Sequence, residues 1–151
     1  MNGMPLAGLR VLDVSTMLAG PYGATLLGDL GADVIRVESH YGDESRHLGP
    51  KRGTERGPYL SLNRNKRDIV LDLGHEGGEA SEVFARLVAR ADILITNIRG
   101  PALAKLGLEY EQVCEHRRDI IWIGVTAFGA DGPYAGRPGI DFLAQGYAGL
   151  L

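Results

Sequence analysis

The chain has 151 residues, 44% of them hydrophobic, a formal charge of −3 and a single cysteine. That length buries one ordinary core, the absence of any long apolar run excludes a membrane span, and one cysteine excludes an intramolecular disulfide framework. The opening MNGMPLAG has neither the basic nor the apolar region of a secretory signal, so a cytoplasmic setting is expected.

Leu9 to Val14 is a short apolar run of the kind buried in a parallel sheet. Ala19, Gly20, Pro21 and Gly23 then open a helix whose end is marked by Gly31, and Asp33 to Glu38 repeats the strand pattern. The chain therefore crosses over once and returns parallel. Unpaired N–H groups of the helix start face whatever sits above the strand ends and favour an anion there. Next come Arg46, Lys51, Arg52, Arg56, Arg64, Lys66 and Arg67, set against one acid, Glu55. Such a run is either a solvated surface loop or a dock for phosphates; its position on the same sheet edge as the Gly20 helix start favours the dock.

A third strand is expected at Asp68 to Leu73, then a helix from Gly77 to Arg90 with Ala80, Val83, Phe84, Leu87 and Val88 on its core face. Ala91 to Thr96 is a fourth strand, Pro101 to Leu106 a short helix, Tyr110 to His116 another, and Ile120 to Val125 a fifth strand. Thr126 to Arg137 reads as a glycine- and proline-rich loop, after which Asp141 caps a helix with Phe142, Leu143 and Leu150 running to the terminus. The apolar ending predicts a fragment of a larger fold. All strands fit one parallel sheet with helices on both faces, an α/β class, in one domain over residues 1–151.

Several chemistries are disfavoured by pattern. His40, His47, His75 and His116 have no ligand spacing with one another or with Cys114, so no metal site is expected. Cys114 reads as a half-buried helix residue, and Gly-x-Ser-x-Gly is absent. The acidic balance and the lack of interleaved aromatics argue against nucleic acid. Glu38 ends the second strand where a nicotinamide-dependent oxidoreductase would hold ribose, but Ser15 and Thr16 replace the tight Gly-x-Gly turn.

Four segments in order, LAGLRVLDVSTMLAGPYGATLLGDLGADVIRVES, NRNKRDIVLDL, ADILITNIRGPALAKLGL and TAFGADGPYAGRPGIDFLAQGYAGLL, resemble the family III CoA-transferases of the CaiB/BaiF type. That group includes formyl-CoA transferase, the carnitine CoA-transferases and the α-methylacyl-CoA racemases. The resemblance implies a Rossmann-like large domain of which this is the N-terminal, CoA-binding part, and an interlocked homodimer. It implies an acyl-CoA donor and a free carboxylic acid as partners, with CoA as substrate and no tightly bound cofactor. Met17, Leu18 and Ala19 correspond to the loop lying against CoA, with Leu18 where formyl-CoA transferase has a glutamine. Leu71, Asn97, Ile98, Arg99 and Ala102 correspond to further contacts, and Lys105 stands where the family usually has an arginine near the nucleotide phosphates. Arg46 of the basic run, Arg137 and Asp141 complete the expected CoA-binding set. Each apolar member can equally be ordinary packing, and Asn97 and Asp141 can equally be caps. The racemases carry a histidine where Ile140 stands, and isoleucine cannot move a proton. The family's nucleophilic aspartate is expected beyond Leu151, so no catalytic residue is assigned within the chain.

Overall fold

A computed structural model describes residues 3–74 and 78–151. Five parallel strands, β1 (Arg10–Asp13), β2 (Asp33–Glu38), β5 (Lys66–Val70), β6 (Ile93–Thr96) and β7 (Ile121–Gly124), form one sheet in the order β5-β2-β1-β6-β7. The winding reverses beside β1, the strand from which one half of the sheet is laid down leftward and the other rightward. The helices are α1 (Ala19–Asp29), α2 (Gly57–Asn63), α3 (Glu79–Val88), α4 (Gly100–Lys105), α5 (Tyr110–His116) and α6 (Asp141–Tyr147). A two-strand ribbon, β3 (Lys51–Arg52) with β4 (Glu55–Arg56), and a 3-10 turn at Glu44–His47 lie between β2 and α2.

Alternation along the strands divides the core in two. Leu12, Ile35, Val37 and Leu94 face Phe84, Val88, Leu108 and Val113. Val11, Val34, Ile93 and Ile95 pack with Ala24 and Ala32 on the other face. Parallel strands covered on both sides must be apolar at successive positions, which is why the expected strand runs are short and nearly continuous. Glycine enforces the closest approach: a Cβ on Gly20 would lie 2.5 Å from Ser15 Oγ, so α1 can press on the end of β1 only without a side chain there.

Boundaries match the sequence expectation at Asp33–Glu38 and Tyr110–His116 and shift elsewhere. The third sheet strand is Lys66–Val70 rather than Asp68 to Leu73, because its register runs from Lys66 opposite Val34 to Val70 opposite Glu38. Lys66 enters a strand because its ammonium is buried against Asp13. The helix expected over Gly77 to Arg90 is seen as Glu79–Val88; its expected start, like His75, lies outside the described residues. Of its proposed core face, Phe84 and Val88 are buried and Leu87 packs against the core, while Ala80 and Val83 are half-exposed. The last helix also differs. Ile140, not Asp141, holds the cap position, Asp141 is the first helical residue, and the helix stops at Tyr147 ahead of Gly149 at φ 74°. Phe142, Leu143 and Leu150 are exposed rather than packed.

Candidate functional site

A crevice of about 120 Å³ opens above the carboxyl ends of β1, β2 and β6, where the strand order reverses and open α/β sheets hold ligands. Its walls are largely apolar, with Val14, Val37, Leu71, Leu73, Ile98 and Leu106 among them, and Ser15, Thr16, Glu38 and Asp43 at the polar side.

The loop from β1 to α1 forms one wall, and its amides at Ser15, Thr16 and Met17 are already committed. Ser15 N–H donates to Asp13 Oδ1 at 3.1 Å, Thr16 N–H to Asn97 Oδ1 at 2.9 Å, and Met17 N–H to Asp43 Oδ2 at 3.0 Å. Asn97 Nδ2 returns a bond to the Thr16 carbonyl at 2.8 Å. A glycine-rich dinucleotide loop offers such N–H groups to a pyrophosphate. Here protein acceptors occupy them, which gives a physical reason for the missing glycines. Met17 sits at φ 65°, a region that side-chain-bearing residues enter at a cost.

Beneath the loop lies a buried ionic web. Asp13, Arg36 and Asp68 are opposite one another in register across β1, β2 and β5, on the face covered by α1 and α2. Arg36, with 1% of its side chain exposed, donates to Asp13 at 3.2 Å, Glu38 at 2.9 Å and Asp43 at 2.6 Å. Lys66 Nζ donates to Asp13 Oδ2 at 2.8 Å, the Pro21 carbonyl at 2.8 Å and Asn63 Oδ1 at 3.0 Å. Arg46 binds Glu38 and Asp68 and stacks over the Tyr59 ring at 3.7 Å. Burial alone would raise the Glu38 carboxyl; hydrogen bonds from Arg46, Tyr59 and Arg36 outweigh it and hold the group at about 2. Burial pushes the Asp68 carboxyl up and the Lys66 ammonium down. The Tyr59 hydroxyl is raised by burial and by the carboxylates of Glu38 and Asp68.

This web changes the reading of the basic run. The segment is not a bare loop, since it holds a 3-10 turn, a ribbon and α2, and most of its cations are partnered. Arg46 and Lys66 belong to the web, Arg64 pairs with Asp29, Arg67 with Asp33, and Arg56 donates to the Gly49 carbonyl at 2.7 Å. Carboxylates distant in sequence consume the apparent excess of charge, a pairing that residue spacing cannot reveal. Glu38, too, is engaged by Arg36, Arg46 and Tyr59 instead of standing free for a ribose.

The structure brings Leu71 and Ile98 to the crevice and fastens Met17 and Asn97 beside it. Leu18 and Ala19 are exposed where α1 begins. Arg99 precedes α4, and Ala102 and Lys105 lie exposed along it, just past the crevice wall at Ile98. Arg137 stacks over the Tyr134 ring at 4.5 Å, and Asp141 accepts from Gln145 at 2.5 Å, in the exposed segment after β7. Sequence reading missed Arg36 and Asp43 as the organisers of the site; an arginine inside an otherwise apolar strand was the available signal. Asp13, Asp43 and Asp92 are tied in ion pairs. Among the described residues, no group of three His, Cys, Asp or Glu could hold a metal and no helix is long and apolar enough to cross a membrane.

The sequence pattern of CoA-transferase family III matches residues 6–151. The chain is 39% identical to succinate–glutarate CoA-transferase of Agrobacterium fabrum, covering 97% of this chain and 38% of that protein. It is 41% identical to the succinyl-CoA–L-malate CoA-transferase beta subunit of Chloroflexus aurantiacus, covering 97% and 36% respectively. A solved CaiB/BaiF family protein from Brucella suis superposes with a TM-score of 0.90 at 41% identity, over 98% of this chain and 40% of that one. The chain thus spans less than two fifths of the length of these two curated relatives.

Proposed function

Since this chain belongs to CoA-transferase family III, we propose that it is the N-terminal, CoA-binding part of an enzyme that moves CoA from an acyl-CoA to a free carboxylic acid. The observation that carries this reading is the crevice at the strand-order reversal, apolar along Leu71, Leu73, Ile98 and Leu106 and closed by a loop with no free amide at Ser15, Thr16 or Met17. Those walls suit the uncharged pantetheine arm and offer no cradle for a dinucleotide pyrophosphate. Met17, Leu18, Ala19, Leu71, Asn97, Ile98 and Ala102 would follow the arm. Exposed Arg99 and Lys105 would meet the phosphates, Lys105 as a point charge without an arginine's bidentate fork. Arg46, held by Glu38 and Asp68, would act on the ligand only through its remaining exposed donors. Arg137 and Asp141 would reach CoA or the acyl group from the segment after β7.

The chemistry proposed for the complete protein is covalent. An aspartate beyond Leu151 attacks the thioester carbonyl, the C–S bond breaks, and CoA leaves as thiolate, giving a mixed anhydride of that aspartate with the donor acid. The thiolate attacks the aspartyl carbonyl, releasing the donor acid and leaving an aspartyl-CoA thioester. The acceptor carboxylate attacks that thioester, expelling the CoA thiolate and giving a second mixed anhydride; the thiolate then attacks the acceptor's acyl carbonyl, forming the product thioester and freeing the aspartate carboxylate. The names of the relatives suggest succinyl-CoA as donor and a dicarboxylate as acceptor. Ile140, an apolar residue 66% exposed ahead of α6, argues against the racemase alternative, and the engaged Glu38 argues against the oxidoreductase. The complete protein is proposed to work in the cytoplasm as a homodimer.

Calorimetric titration of the full-length protein with CoA and with NAD tests the assignment. Saturable CoA binding with none for NAD, together with succinyl-CoA turnover on adding glutarate or L-malate, is the expected result. NAD binding without CoA binding overturns it.

A further inference from the structure

Asp43 is the point where two loops over the crevice are joined. One carboxylate oxygen, Oδ2, accepts from Met17 N–H at 3.0 Å and from Arg36 Nη2 at 2.6 Å. The other, Oδ1, accepts from Ser45 N–H at 2.8 Å and from the Ser45 hydroxyl. The residue is 2% exposed, so these bonds are made away from solvent, where an ionised carboxylate is worth keeping only if its partners are fixed. Meanwhile Met17 occupies φ 65°, a left-handed conformation that is strained for a residue with a side chain and persists only when surrounding structure over-determines it. Thr16, one residue earlier, is held from the opposite side by Asn97, and Ser15 by Asp13.

We propose that Asp43 is a positioning residue for CoA transfer: backed by Arg36, it holds Met17 in its left-handed conformation and so sets the wall of the CoA crevice. This rests on the function proposed above, but the hold on Met17 can be read independently of it. The carboxylate has no role at the reacting atoms. It acts through the backbone of Met17, and a neutral amide in its place has one acceptor oxygen: its NH2 group would face either both Met17 N–H and Arg36 or the Ser45 N–H, and the charge that binds Arg36 is lost in either orientation.

The test uses the full-length protein. Amide exchange at Met17 should be slow in the parent and at least tenfold faster in Asp43→Asn, with exchange in β1 and β6 unchanged; equal exchange at Met17 in both overturns the hold itself. In steady-state assays, Asp43→Asn should raise KM for acyl-CoA about tenfold while kcat falls by less than threefold. Asp43→Asn combined with Met17→Gly should recover at least threefold of that KM, because glycine adopts a positive φ without help. No recovery would mean that Asp43 serves only the 3-10 turn and the Arg36 pair, and would overturn the proposal. If Asp43→Asn does not fold, Met17→Val, a β-branched residue unsuited to positive φ, takes its place and should produce the same rise in KM; a fold-competent Met17→Val with an unchanged KM overturns the proposal. A parent protein that shows slow Met17 exchange but no CoA binding would refute the proposed function and leave the hold intact.

Discussion

At the scale of single residues, Arg36 decides more than any other side chain described. Removing a buried guanidinium leaves Asp13 and Asp43 facing each other's charge in a low-dielectric site, so Arg36→Met is expected to cost about 3–5 kcal/mol. Urea unfolding measures it, and a loss below about 1 kcal/mol would show that the web is not held by this residue. Glu38 supplies a pH signature. Its carboxyl is depressed from 4.5 to about 2, so its contribution to stability is complete above pH 4.5 and disappears as the pH falls through about 2. Asp68 beside it runs the other way, being raised by burial, so the Glu38 effect is read as a difference. The expected outcome is that wild type loses more stability than Glu38→Gln between pH 4.5 and 2; parallel acid limbs in thermal melts would contradict it.

At the scale of elements, α1 offers two glycines with opposite expectations. Gly20→Ala places a methyl against Ser15 and should destabilise by about 1–3 kcal/mol, whereas Gly23 has open space around its missing Cβ. Gly23→Ala should therefore stabilise by roughly 0.5–1 kcal/mol through helix propensity. Differential scanning fluorimetry separates the two, and a common sign would show that α1 packs differently on β1. The strands Asp33–Glu38 and Ile93–Thr96 were legible as apolar runs because both faces are covered. Lys66–Val70 was displaced by two residues at its start, since a buried lysine imitates a loop until its partner, Asp13, is known. Leu71 and Ile98, which line the crevice, were pointed to by the family resemblance, and Asn97 beside it also by its place at a strand end. The web was not: it joins residues up to 53 positions apart, as in Asp13 with Lys66, and no local pattern encodes that pairing.

At the scale of the whole molecule, cohesion is uneven. Val11, Leu12, Val34 and Leu94 lie at the centre of the sheet with essentially no exposure, while no residue from 126 to 151 is buried. Amide exchange should follow that gradient, slowest in β1, β2 and β6 and faster by orders of magnitude in α6. Equal protection of Asp141–Tyr147 and Ile93–Thr96 would refute it. Within this chain β7 pairs with β6 on one side only and carries Ile121 and Ile123 exposed. A greasy border strand with unmet backbone donors and acceptors is a template for accretion, and this polypeptide taken by itself would be sticky toward its own siblings. A lysine at Ile121 would be a natural gatekeeper against that fate.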